Sequence, residues 1–216
     1  MGYSRVSFMK IFISGSITLN VLPPEVKESI EKAIKKNYKI LIGDAKGIDK
    51  TVQNCLKALG YKNVEIYYIG DSPRNIADDD WKSVRIPVEK TPLFFKNNRY
   101  TREAQMIKDK AMSENADIGL VVWEDSSLNR FGKISVSKGT LNNIYRLLSS
   151  NKLVGIYLVS KPDLGIQKIR SLNTFEEKYI NNFVSQQTVQ YYNSLKVEIN
   201  DLSEGTYIKA EQTSLF

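Results

Sequence analysis

Apolar positions in this chain recur with two periods, and the alternation between them outlines the fold. Lys10-Ile-Phe-Ile-Ser14 is a short β-rich run closed by Gly15-Ser16-Ile17-Thr18, which predicts a strand and then a turn. Pro23-Pro24 opens Glu25–Asn37, where Val26, Ile30, Ala33 and Ile34 fall at helical spacing. Tyr38–Ile42 is a second apolar run and stops abruptly at Gly43. Asp49–Leu59 then puts Val52, Cys55, Leu56 and Leu59 on one helical face before Gly60. Val64–Ile69 is a third strand, stopped by Gly70-Asp-Ser-Pro-Arg74. The order β-α-β-α-β predicts a parallel sheet covered by helices.

Asn75–Lys96 has neither period and reads as irregular, with Asp78-Asp-Asp80 as a solvated loop. Arg99–Asn115 is a helix carrying Tyr100, Arg102, Met106, Asp109 and Met112 in register. Ile118–Trp123 is continuously apolar, as a strand buried on both faces must be. A Gly/Ser/Lys-rich loop leads to Lys138, Gly139-Thr140 opens the helix Leu141–Ser150, and Leu153–Val159 is a further strand. Beyond Pro162 the character changes. A helix from Asn173 through about Gln187 is expected from its cap-like start. Tyr191–Asn200 is ambiguous, with a strand as one reading. The expected class is α/β, a Rossmann-like three-layer sandwich with a mainly parallel sheet and a short C-terminal extension. Its parts would be a flexible leader over 1–9, the main domain over 10–162, a helical or mixed extension over 163–210 and a tail over 211–216.

Composition narrows the chemistry. With 216 residues of which 42% are hydrophobic, the chain is long enough for one domain with a real core. It has no histidine, so the usual general base and transition-metal ligand are missing. The single cysteine, Cys55, forms no intrachain disulfide and is expected to be a small buried hydrophobe. Neither a metal nor a cofactor is expected. No apolar run is long enough for a membrane span and the N-terminus lacks a signal-peptide core, so a cytoplasmic location is the default. The net charge of +7 favours anionic partners such as nucleotides or nucleic acid.

Three strand-to-helix turns carry the candidate chemistry. They are Gly15-Ser16, Gly43-Asp-Ala-Lys-Gly-Ile-Asp49 and Ser137-Lys-Gly-Thr140. In a doubly wound sheet such turns emerge at the carboxyl ends of the strands. Free N–H groups at the helix starts make them suited to phosphate. Lys46 and Lys138 would add charge and Thr140 a hydroxyl.

The strand Lys10–Ser14 with Gly15-Ser16, the turn Gly43–Asp49, the helix Arg99–Asp109, the strand Ala116–Trp123 and Ser137-Lys-Gly-Thr-Leu-Asn-Asn143 together resemble the SLOG superfamily. That is the Rossmann-like group holding the Smf/DprA proteins and the LOG phosphoribohydrolases. The resemblance covers about Lys10 to Val159. It implies a nucleotide or nucleotide derivative, ADP-ribose derivatives included, lined by Gly15, Ser16, Gly43, Asp44, Lys46, Gly47, Asp49, Arg99, Gly139 and Thr140. Asp49 would bond a ribose hydroxyl, and Arg99 and Arg102 would pair with phosphate. It also implies a homo-oligomer.

One departure bears on catalysis. The LOG hydrolases look like Pro-Gly-Gly-x-Gly-Thr-x-x-Glu, the Glu serving N-glycosidic cleavage, whereas this chain has Asn143 in the Glu position. Glu124 and Asp125, just after a strand, are the candidate substitutes. The leading expectation is therefore a nucleotide sensor or sequestering module. A nucleotide N-glycosidase is one alternative, and an echo of the nucleoside deoxyribosyltransferases in Ile11–Ile17 points the same way. A DNA-associated, Smf/DprA-like protein is the other. Gln212-Thr-Ser-Leu-Phe216 is similar to the bacterial sliding-clamp binding peptide, with Gln212, Leu215 and Phe216 as its contacts.

Overall fold

The computed structural model describes residues 8–196. The leader therefore lies mostly outside the described residues, and Gln212, Leu215 and Phe216 of the clamp-like peptide lie wholly outside them. Seven strands form one sheet. In chain order they are β1 (Lys10–Gly15), β2 (Lys39–Gly43), β3 (Val64–Tyr68), β4 (Lys82–Arg85), β7 (Ile118–Trp123), β10 (Leu153–Leu158) and β11 (Ile166–Ile169). Their order across the sheet is β11-β10-β7-β1-β2-β3-β4. Every pairing is parallel except the one between β10 and β11. This is the expected α/β sandwich with a mainly parallel sheet.

Strand alternation divides the core in two. On β1, Ile11 and Ile13 face one layer and Phe12 the other; on β7, Leu120 and Val122 pair with the first layer, Val121 and Trp123 with the second. The first layer is covered by α1 (Pro24–Lys35) and α2 (Ile48–Ala58), through Val26, Ile30, Val52 and Leu56. The second is covered by α3 (Arg102–Asn115) and α4 (Lys138–Ser149), through Met112, Leu141, Ile144 and Leu148. Each such buried aliphatic side chain contributes about 1.5–3 kcal/mol.

Four stretches differ from the periodic reading. Asn75–Lys96 contains the edge strand β4, whose exposed residues carry no apolar alternation. Helix α3 starts at Arg102, because Arg99–Tyr100 (β6) pairs with Phe95–Lys96 (β5) in a small hairpin. The loop before Lys138 is a second hairpin, β8 (Ser126–Leu128) with β9 (Ile134–Val136). Beyond Pro162, β11 adds an antiparallel edge to the same sheet. The helix expected from Asn173 is broken. Leu172–Phe175 (α5) runs into a π-turn at Glu176–Ile180, and a new helix occupies 186–196, so Tyr191 is helical and not in a strand. Phe175, Tyr179 and Tyr192 pack with the fully buried Trp123, at 5.6 Å and 6.2 Å from its ring for the first two, which ties this extension to the main core. Cys55 is half-buried, at the edge of its helical face.

Candidate functional site

The chain leaves β1 toward β2, β3 and β4 on one side, then returns to place β7 and β10 on the other. Connections diverge between β1 and β7, and at such a switch point the carboxyl ends of the strands open a crevice. A cleft of about 400 Å³ lies there. One wall is the loop after β1, the second is the start of α4 with the β8–β9 hairpin, and the third is a stripe of α3.

The α4 end is open backbone and hydroxyls. Ser137 caps the helix by position, but among the described residues no side chain bonds its first N–H groups, and its first turn holds no acidic residue. The first helical bond runs from Leu141 N–H to the Ser137 carbonyl at 3.0 Å. The N–H groups of Lys138, Gly139 and Thr140 thus precede the helical ladder, and all three residues line the cleft. A side chain built at Gly139 would meet nothing within 4 Å. Ser16 Oγ stands 3.1 Å from Ser137 Oγ, joining the first and third turns. Ser16 is itself placed by the Glu124 N–H, which donates to its Oγ at 3.1 Å.

The floor is mixed. Phe12 and Ser14 of β1 share one strand face, and Met106 and Met112 of α3 stand across from them with Asn143 of α4. Ser14 Oγ and Asn143 Oδ1 are buried and have no hydrogen-bond partner among the described residues, their residues being only 4% and 5% exposed. An orphaned polar atom in a packed interior costs about 1–3 kcal/mol. Two of them belong to residues that line one cleft, and such groups call for a partner, water or a ligand, beyond the described side chains.

The far end is charged and already paired. Asp44 is fully buried and accepts from Arg74 Nη2 at 2.6 Å, Arg74 Nε at 3.0 Å and Lys108 Nζ at 2.8 Å. Burial alone would raise its pKa, but Arg74 and Lys108 hold it down to about 2. Asp49 accepts from the Ala45 N–H at 3.1 Å, and burial pushes it up to about 6 against the pull of Lys108. Asp109, 4.0 Å from Lys108 Nζ, is likewise raised by burial. Asp49, Arg74, Lys108 and Asp109 all line the cleft.

Of the residues expected at the site, Gly15, Ser16, Asp49, Arg102, Lys138, Gly139 and Thr140 come together on it. Gly43, Asp44 and Gly47 stand behind it and serve the turn. A side chain at Gly43 would overlap the Asp49 carboxylate, and Gly47 has φ of 75° with the Ile17 backbone 2.5 Å from where a Cβ would sit. Lys46 is exposed and lies off the cleft wall, as does Arg99 in the β5–β6 hairpin.

The two candidate catalytic carboxylates do other work. Glu124 accepts from Thr18 Oγ1 at the rim. Asp125 is buried and binds the Ser185 N–H at 2.8 Å and Thr188 Oγ1 at 3.2 Å, anchoring the helix at 186–196. Neither is among the residues lining the cleft.

The periodic reading put Arg102, Met106, Asp109 and Met112 on one helical stripe, and that stripe is the cleft wall. Read as a ligand face, it would have found Asp109. Arg74 and Ser14 had no such signal, since one follows a strand stop and the other ends a strand. Among the described residues no helix is long and apolar enough to cross a membrane, and no group of His, Cys, Asp and Glu is placed to hold a metal ion. No protein-family model matches the chain, and no curated protein is similar to it.

Proposed function

We propose that this chain binds a nucleotide or nucleotide-derived signal in the cleft between β1 and β7, as a sensor or sequestering module. The phosphate sits on the open first turn of α4, with Ser16, Ser137 and Lys138 around it, where free N–H groups and the helix dipole favour an anion. The sugar hydroxyls meet Asp49 and Asp109. Both carboxylates accept such bonds, and both sit where burial makes an added donor favourable. The observation that carries this reading is the pair of orphaned atoms, Ser14 Oγ and Asn143 Oδ1, beneath an uncapped helix start. The resemblance to the SLOG proteins points to the same ligand class.

Binding without cleavage follows from Asn143. An amide neither takes a proton from water nor stabilises an oxocarbenium ion as a carboxylate does. Titration calorimetry against a panel of nucleoside mono- and diphosphates and ADP-ribose derivatives is the test. Saturable binding that Lys138→Ala or Gly139→Asp weakens at least about tenfold, a loss of about 1.4 kcal/mol, supports the proposal. No binding by any member of the panel overturns it. Incubation with nucleoside monophosphates tests the sensing role. Release of free base would make the protein a nucleotide N-glycosidase, and the loss of that activity in Asp109→Asn or Asp49→Asn would locate its carboxylate.

A further inference from the structure

A second cavity lies beside the cleft. It measures about 410 Å³ and opens between α3 and α4, with Leu195 of the helix at 186–196 on its wall. That volume is within the range of small-molecule sites. Its residues fall at helical spacing: Met106, Lys110 and Ser113 on α3, then Asn142, Tyr145 and Arg146 on α4. Met106 also lines the cleft, so one side chain borders both spaces.

Arg146 gives this cavity its chemistry. Its Nη1 donates to the Met106 carbonyl at 3.0 Å, which holds the guanidinium in place. Among the described residues its Nε and Nη2 have no hydrogen-bond partner, and Arg146 forms no ion pair. Neither nitrogen is a fully buried orphan, so both reach open space. Together they make the side-on fork that a carboxylate meets with two parallel bonds. Arg146 is half-buried, and burial pulls its pKa below the ordinary arginine value without discharging it. A guanidinium partly withdrawn from water and lacking a counter-ion gains from an anion that reaches it.

The rest of the wall limits that anion. Tyr145 and Leu195 are 6% and 5% exposed and, with Met106, supply apolar surface. Lys110 is engaged by Glu114 at 3.7 Å, so that pair adds no net charge. Ser113, Glu114, Ser149 and Ser150 stand at the C-terminal ends of α3 and α4, where the carbonyl ends of a helix disfavour negative charge. The two charges of a phosphate would outnumber the one unpaired cation, whereas a single carboxylate matches it.

We propose that this cavity binds a small monocarboxylic acid with an apolar body, its carboxylate in the open fork of Arg146 and its body against Met106, Tyr145 and Leu195. Occupancy is felt in the cleft, because Arg146 holds the Met106 backbone and Asn142 Nδ2 reaches the Met106 Sδ at 3.7 Å. Asn142 in turn accepts from the Tyr191 hydroxyl at 2.9 Å, and the Tyr191 ring lies 4.7 Å from Lys138 Nζ at the start of α4. The site stands whether or not the cleft holds a nucleotide.

Methyl NMR of the full chain, labelled at its four methionines, tests this. The probe is hydrocinnamate, with hydrocinnamamide as its uncharged twin. Met112 lines the cleft alone, and so reports on it separately from Met106; Met106→Leu and Met112→Leu assign the two signals. Hydrocinnamate should shift the Met106 signal saturably, with a dissociation constant on the order of 1 mM or below, and leave Met112 in place. The amide should bind at least about tenfold more weakly. Arg146→Gln should weaken the acid at least about tenfold. Ser149→Trp, at an exposed position of the wall, should block it, and thermal melting checks that both variants fold.

The inference is overturned by the absence of a saturable shift, or by Met112 moving as much as Met106, which would put the acid in the cleft. Equal binding of acid and amide, or wild-type affinity in either variant, also overturns it. Titration of the same sample with the nucleotide panel reads the cleft. Acid binding with no nucleotide binding removes the cleft reading alone, and nucleotide binding with no acid binding removes this site alone.

Discussion

Two turns of this protein look alike along the chain and differ in space. Gly43–Asp49 and Ser137–Thr140 each carry glycine and lysine and open a helix, the first directly after the buried β2 and the second after the exposed hairpin strand β9. In the first, the protein fills the space with its own charges. Asp44 is sealed by Arg74 and Lys108, Asp49 folds back on the Ala45 N–H, and Gly43 and Gly47 are glycines because backbone and carboxylate press on them. In the second, a side chain built at Gly139 would meet nothing within 4 Å among the described residues, and the Ser137 side chain makes no cap bond. A turn that meets its own hydrogen-bonding needs supports the fold, whereas one that leaves them open is available to a ligand.

The sharpest way to break that contrast is to remove one group from each turn and compare. Asp44→Asn takes from the buried Lys108 its nearest counter-ion, 2.8 Å away, and leaves only the looser Asp109 at 4.0 Å; it should cost about 3–5 kcal/mol, a fall in melting temperature on the order of 10 °C. Lys138→Ala, on the open turn, should stay within about 0.5 kcal/mol of wild type while nucleotide affinity falls. Equal melting temperatures for the two variants would dissolve the distinction. The glycines repeat the comparison on a smaller scale. Gly47→Ala forces a Cβ into the Ile17 backbone at positive φ and should destabilise by about 2 kcal/mol or more, whereas Gly139→Ala should melt within about 0.5 kcal/mol of wild type.

Acidity probes the closed turn alone, because its two carboxylates shift in opposite directions. Asp44 is held at about 2, below its ordinary 3.8. Its contribution is complete above pH of about 4 and is lost as the pH falls toward 2. Asp49 is raised from 3.8 to about 6. Between those values the folded chain keeps a proton that the unfolded chain has released, so stability declines as the pH rises from about 4 to about 6. Each effect is on the order of 2 kcal/mol. Urea midpoints across pH 2–7 should therefore peak near pH 4 as far as these two groups decide it. Asp49→Asn should flatten the arm above the peak and leave the arm below it; an unchanged upper arm would mean that Asp49 titrates normally.

Much of the scaffold was legible because burial and strand period coincide. Phe12 and Ile13 on β1, or Val121 and Val122 on β7, are apolar on both faces because both faces are covered. The edges were not legible for the same reason. Lys82–Arg85 pairs with β3 through its backbone and buries little, so no apolar pattern marks it. The helix at 186–196 begins where Asp125, some 60 residues earlier in the chain, binds Ser185 and Thr188. No local spacing announces a cap supplied from so far away. The same limit applies to the site. Gly15, Ser16, Gly139 and Thr140 are visible as turns, but the sequence places Asp44 on the ligand because Arg74, its partner, comes from the stop after β3, 30 residues on.

The smallest expected change in stability is also the most direct probe of the open turn. Ser14→Ala deletes a buried hydroxyl that bonds nothing among the described residues. In most cores, removing a serine hydroxyl breaks a bond and strands its partner, which costs stability. Here there is no partner to strand, so melting should be unchanged or rise by a value equivalent to about 1 kcal/mol or less. If a bound nucleotide satisfies that hydroxyl, the same variant must lose one hydrogen bond on binding, about 1 kcal/mol or a fivefold drop in affinity by calorimetry. Stability and affinity would then move in opposite directions from one atom. A variant that melts lower and binds as well as wild type would show that Ser14 serves the fold, and would move the base of the site away from β1.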